Sequence, residues 1–169
     1  MSVTDDTINR ARSFAIEAHA GQRYGDAPYV MHLDRVARIL RDWSASDDLI
    51  VAGYLHDVLE DTPVSYADLC EHFGSRVCDI VHDVTGEGET RKARTASIYR
   101  KAGRNPDSAL IKLADRIANV EAAQPGDVHV RRYAGEYDAF AAAFRHLVPP
   151  LAWLRLQETL ASRSETPER

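Results

Sequence analysis

A chain of 169 residues is long enough for one domain with a full hydrophobic core and needs no second. Its composition, 44% hydrophobic and 28% charged, is that of a globular protein, and no apolar run approaches the roughly 20 residues that span a bilayer, which argues against a membrane protein. A net charge of -5 with a pI near 5.8 leaves no chain-wide basic footprint, so a dedicated nucleic-acid binder is disfavoured while a small anionic substrate is not.

The opening MSVTDDTINRARSF carries two acids and no apolar core, so no secretory leader and a cytoplasmic location are expected. Helical periodicity dominates and strand alternation is missing, which predicts an all-α, single multi-helix domain over residues 1–162 with a disordered tail at 163–169. The first helix is expected after a Thr4-Asp5-Asp6 cap, burying Ile8, Ala11, Ala15 and Ala18 and ending near Gly21. A loop from Gln22 to Tyr29 leads to a helix with Leu33, Val36, Ala37, Leu40 and Trp43 on its apolar face and His32 at its start. The next runs from Asp47 to Asp61, buries Leu49, Ala52 and Leu55, and is stopped by Pro63.

Ser65 to Asp68 reads as a capping box opening a short helix closed by Gly74, and another follows with Val77, Ile80, Val81 and Val84 apolar. Cys70 and Cys78 form no CxxC pair and are expected as small core residues, not as a disulfide or zinc ligands. Arg91, Lys92 and Arg94, with Arg100, Lys101 and Arg104, read as a solvated helical face after the acidic loop from Gly86 to Glu89. Asn105-Pro106 starts a helix to about Ala123, in which Lys112, Asp115 and Asn119 share one polar stripe of the kind that faces a site. One further helix holds Tyr133, Tyr137, Phe140, Ala141 and Phe144, and after Pro149-Pro150 the last one presents Leu151, Leu154 and Leu160. His19, His72, His82, His129 and His146 have no identifiable partner and are read as ordinary surface or satisfied positions.

The segment His56-Asp57-Val58-Leu59-Glu60-Asp61 carries the chemistry. On a continuous helix His56 stands over Glu60 and Asp57 over Asp61, so three carboxylates and an imidazole crowd one short stretch. Such a cluster repels itself unless a cation neutralises it, and imidazole with carboxylate ligands suits a divalent ion such as Mn²⁺ or Fe²⁺. A hydrolytic centre further needs a carboxylate beside the activated water, a place that Glu60 and Asp61 could fill.

Four segments in order, AHAGQRYGDAPYVMH at 18–32, HDVLED at 56–61, FGSRVCDIVHDVT at 73–85 and IKLADRIANV at 111–120, resemble the HD superfamily of metal phosphohydrolases. Within it they resemble the RelA/SpoT-type (p)ppGpp hydrolase domain, in its small single-domain alarmone hydrolase form similar to the metazoan SpoT homologue. The resemblance implies His32, His56, Asp57 and Asp115 as ligands of Mn²⁺ or another divalent metal, and Glu60-Asp61 as the pair that activates water. It implies Arg23, Tyr24, Lys112 and Asn119 as substrate-binding positions, and 3′-pyrophosphate hydrolysis of (p)ppGpp to GDP or GTP as the activity. Tyr24 stands where the family carries lysine, and Glu121 where arginine is usual. These departures keep two alternatives in view: another nucleotide or NADPH as substrate, and a nucleotide-binding module without turnover.

Overall fold

A computed structural model describes residues 3–164. In chain order these form α1 (Val3–Ala18), a hairpin of β1 (Arg23–Tyr24) and β2 (Ala27–Pro28), α2 (Val30–Asp42), α3 (Asp47–Leu55), α4 (Val58–Asp61) and α5 (Tyr66–Val84). There follow α6 (Arg91–Ala102), α7 (Pro106–Ala122), α8 (Val128–Gly135), α9 (Tyr137–Phe144), a 3₁₀ turn and α10 (Pro150–Ser164). The all-α expectation holds, and the described residues contain no helix long and apolar enough to cross a membrane.

Helix α7 is the axis of the fold. Ala109, Ile111, Leu113, Ala114, Ile117, Ala118 and Val120 leave no measurable surface, so the helix is apolar nearly all round and must be surrounded. It packs against α2, α3, α5, α6, α8 and α10, while α1 covers α2 and α3. Its start is as read from sequence, with Asn105 accepting from the Asp107 amide and Pro106 in the first turn. The capping box also forms, with Ser65 and Asp68 bonding each other's backbone N–H reciprocally. The hairpin pairs Arg23 with Pro28 and Tyr24 with Ala27 inside the expected loop.

Several expectations are corrected. Helix α1 already includes Thr4-Asp5-Asp6, and α10 continues through Ser164 into the stretch read as a tail, whose residues 165–169 lie outside those described. The helix expected from Asp47 to Asp61 breaks after Leu55, because Asp57 takes φ -101°, ψ -4° as the residue before α4. The aromatic stripe from Tyr133 to Phe144 is divided between α8 and α9 at Glu136. In α10 the buried face is Ala152, Trp153, Leu156 and Leu160, leaving Leu151 and Leu154 79% and 44% exposed. Trp153 stacks on Phe140 and donates to the Tyr137 hydroxyl, which fixes the helix's rotation and turns those two leucines outward.

Cys70 and Cys78 are joined in a disulfide, contrary to the reading as free core residues. In a straight helix residues eight apart sit about 12 Å from each other. Gly74, at φ +80°, kinks α5 between them and brings their Cα atoms to 5.4 Å.

Candidate active site

Four side chains from separate elements meet at one point. His32 stands in the first turn of α2, His56 and Asp57 occupy the break between α3 and α4, and Asp115 lies mid-way along α7. His56 Nε2 is 2.9 Å from Asp57 Oδ2 and 3.7 Å from Asp115 Oδ1, and His32 Nε2 is 3.3 Å from Asp115 Oδ1 and 3.9 Å from Asp57 Oδ2. Candidate ligand atoms of His32, His56 and Asp57 all lie within 4.8 Å of one another, so these three could hold a metal ion.

The break that interrupted the expected helix is what builds the cluster. His56 Nδ1 donates to the Gly53 carbonyl at 2.8 Å, which turns Nε2 toward the carboxylates. That Nε2 is buried 2.9 Å from Asp57 Oδ2, where it would face a metal once its proton is lost. Gly53 serves by being bare: a Cβ there would lie 2.5 Å from Leu40 Cδ1, so the buried Leu40 side chain would have to shift to admit one. Tyr29 donates to Asp57 Oδ2 at 2.5 Å, and Asp115 receives Lys112 Nζ at 2.7 Å and Asn119 Nδ2 at 2.7 Å.

Electrostatics follow from this packing. Burial works against a charge on His56, yet Asp57 and Asp115 outweigh it and hold its pKa up to about 10. Burial would raise Asp115, but Lys112 and the two histidines keep it well below the usual carboxylate range. Burial, with Asp57, Asp115 and Asp61 nearby, pushes the Tyr29 phenol far above its ordinary value, so it stays a donor. Asp61 is raised, first by burial and then by the Asp57 charge.

The cluster opens into a cavity of about 400 Å³, within the range of small-molecule sites. Glu60, Asp61, Tyr24, Lys112 and Asn119 line it as expected, and Arg91, Arg94, Arg116 and Glu136 form further parts of its wall. Tyr24 stacks on His32 at 4.9 Å and donates to Asn119 Oδ1 at 2.5 Å, while burial raises its pKa to about 12. Glu60 is differently engaged from Asp61. Its Oε2 accepts the Gly86 N–H at 2.8 Å and its Oε1 lies 3.6 Å from Arg94 Nε, tying it to the loop before α6.

Arg23 does not reach this cavity. It lines a neighbouring one of about 630 Å³, which shares Tyr24, Asn119 and Tyr133 with the first, and it bonds the Asp26 carbonyl. Glu121 lies outside both cavities, paired with Arg155 at 2.9 Å and Arg38 at 3.3 Å, so its charge bears on helix packing instead of the substrate. Arg91 and Arg94 line the cavity while staying 56% and 41% exposed, so the solvated face and the cavity rim are the same surface. His19, read as ordinary, is buried against Tyr29 with Nδ1 on Gln22 Oε1 at 2.7 Å. Tyr29, His19 and Arg116 all fall inside the quoted motif segments, which is the signal that could have singled them out.

Residues 11–142 match the HD domain family. The chain belongs to that family. HD domain hydrolases bind a divalent metal, which agrees with the imidazole and carboxylate cluster above. This HD domain is 38% identical over 122 residues to the guanosine-3′,5′-bis(diphosphate) 3′-pyrophosphohydrolase of Aquifex aeolicus, an alignment covering 69% of this chain and 18% of that protein. It is 35% identical over 128 residues to the bifunctional (p)ppGpp synthase/hydrolase SpoT of Escherichia coli, again covering 69% and 18%. The chain thus spans less than a fifth of the length of these relatives. Among solved structures, a metazoan ortholog of SpoT that hydrolyses ppGpp and plays a role in starvation responses aligns with TM-score 0.77 and 26% identity over 97% of both chains. In this HD domain His56 and Asp57 stand side by side at the α3–α4 break, His56 with helical φ -59°, ψ -28° and Asp57 at φ -101°, ψ -4°.

Proposed function

We propose that the chain is a metal-dependent guanosine-3′,5′-bis(diphosphate) 3′-pyrophosphohydrolase, converting (p)ppGpp to GDP or GTP and pyrophosphate. The observation that carries this reading is the convergence of His32, His56, Asp57 and Asp115 beside a cavity that Arg91, Arg94 and Arg116 also line. Acidic and imidazole groups suit a cation, and guanidinium groups suit phosphates. The relatives named above, which carry this activity in their names, support it.

His32, His56, Asp57 and Asp115 would hold the metal, Mn²⁺ in our reading. When bound, it supplies Lewis acidity toward water and the phosphoryl oxygens. Asp61, whose proton affinity is raised by burial and the Asp57 charge, would accept the proton of the attacking water. Glu60 keeps the Gly86 loop and Arg94 against the cavity, so the pair acts through two different contacts. Lys112 and Asn119 fix the Asp115 carboxylate, and both side chains line the cavity that would take the nucleotide. Tyr24 closes the side toward Arg23, whose cavity would receive the part of the nucleotide farthest from the scissile bond.

A second reading is favoured by one observation. Tyr24 places a neutral, hydrogen-bonded phenol where the family resemblance leads one to expect lysine, which suits another nucleotide or NADPH. Incubation of the purified chain with Mn²⁺ and ppGpp, pppGpp or NADPH, with products resolved and metal content measured on the same sample, separates the readings. GDP and pyrophosphate above a metal-free control are expected, and their absence overturns the proposal. Asp57→Ala is expected to lose metal and turnover together.

A further inference from the structure

The buried arginine Arg116 makes fewer bonds than its place in the fold demands. Only 6% of its surface is exposed, and its guanidinium lies 3.8 Å over the Phe140 ring and 4.9 Å over that of Tyr133. Nη2 reaches Glu136 Oε2 at 3.2 Å and the Tyr99 hydroxyl at 3.4 Å. Nη1 is buried, in a residue that lines the cavity, and has no hydrogen-bond partner among the described residues. A guanidinium is always charged and carries five N–H donors, so leaving one end desolvated and unpaired is costly unless a ligand completes it.

Glu136 is also shared. Its Oε2 takes Arg116 while its Oε1 takes Arg91 Nη2 at 2.9 Å, so one carboxylate bridges two arginines from α6 and α7. It sits at the non-helical junction of α8 and α9, with φ -88° and ψ 0°, and is 31% exposed, so it is not packed in place as Arg116 is. The three groups sum to one positive charge. A dianionic group would be drawn to both guanidiniums and would compete with the carboxylate for them.

We propose that Arg116 and Arg91 form an anion clamp for a phosphate group of the substrate, with Glu136 as the internal carboxylate that the phosphate displaces. Resting on the nucleotide-polyphosphate reading above, this makes Arg116 a substrate-binding residue and Glu136 a determinant of phosphate affinity. The aromatic bed of Phe140 and Tyr133 holds the guanidinium plane, which is why arginine and not a flexible lysine serves there.

The test uses the full chain with its metal and inorganic pyrophosphate as the probe, followed by calorimetry. Arg116→Met is expected to weaken pyrophosphate binding about tenfold, the usual weight of a hydrogen bond to a charged group. Glu136→Gln, which keeps the shape and removes the competing charge, is expected to tighten it severalfold. In both variants metal content stays at the wild-type level, and with ppGpp as substrate KM moves in the same sense as the pyrophosphate affinity. A purely structural role for the triad would instead make Glu136→Gln less heat-stable with unchanged pyrophosphate affinity, which overturns the clamp. If Arg116→Met does not fold, Glu136→Gln alone decides. Failure of ppGpp turnover with the pyrophosphate responses intact removes the proposed substrate but not the clamp.

Discussion

Tyr29 shows how one hydroxyl can orient the candidate metal cluster from outside it. It donates to the same Asp57 oxygen that lies 2.9 Å from His56 Nε2, so it orients the carboxylate and holds its charge density in place. Groups of this kind are worth about 10–100-fold in metal affinity or activity. Tyr29→Phe is therefore expected to lower metal affinity by that order while leaving the circular dichroism spectrum unchanged, and an unaltered affinity in a metal titration would refute the role. His56 supplies a second test at this scale. Its folded pKa is raised, so below about 10 the metal-free protein carries an imidazolium that a metal must deprotonate. Metal binding at neutral pH should release a proton from this site, and affinity should rise by about tenfold per pH unit as pH increases. Calorimetry in buffers of different ionisation enthalpy reads the proton directly. The sequence showed which residues cluster here but not how. At the α3–α4 break His56 donates to Gly53 of its own helix, while Tyr29 reaches Asp57 from the start of α2, a contact that local sequence does not mark.

The loop from Thr85 to Thr90 and the start of α6 act as one element, because Gly86 touches both Glu60 and Arg94. A Cβ at Gly86 would lie 2.7 Å from Arg94 Cβ and 3.2 Å from Glu60 Oε2, so Gly86→Ala must push the loop off the cavity. Displacements of about 1 Å near a reaction centre cost on the order of a hundredfold, and a ten- to hundredfold fall in kcat/KM with unchanged metal content is expected from steady-state kinetics. A second inter-element contact concerns stability alone. Arg12 on α1 pairs with Asp34 on α2 at 2.7 Å and lowers the Asp34 pKa. A depressed carboxylate stabilises the fold above its unfolded value near 4 and loses that contribution as pH falls through the folded value. Arg12→Ala should thus cost up to about 1 kcal/mol at pH ~7 and nothing at pH ~2, as urea titrations at both pH values would show. Such elements were legible where local rules decide them, as at Ser65 and Asn105. They were illegible where packing decides, as for the outward Leu151 or the buried Arg116, whose sequences look the same either way.

At the scale of the whole molecule the cluster would, with a metal bound, be a cross-link as well as the proposed reaction centre. Its four ligand candidates come from α2, the α3–α4 junction and α7, and α7 is the helix around which most of the others pack. A cation held there ties together elements separated by up to 83 positions in sequence, from His32 to Asp115, and binds only when they are assembled. The same crowding is a source of instability without it, since Asp57 and Asp115 are then compensated only by His56, His32, Lys112, Asn119 and Tyr29. A ligand selective for the native state stabilises by about 2.7 kcal/mol at a hundred times its dissociation constant. For a chain of this size each kcal/mol moves Tm by about 2–4 °C. Removing metal with a chelator is therefore expected to lower Tm by roughly 5–10 °C, and restoring Mn²⁺ to reverse it. Asp57→Ala should melt at one temperature with or without metal, because it lacks both the ligand and the charge that the cation offsets. Differential scanning calorimetry of the two proteins with and without chelator decides the matter: a wild-type Tm indifferent to metal would mean that these four residues do not bind one together.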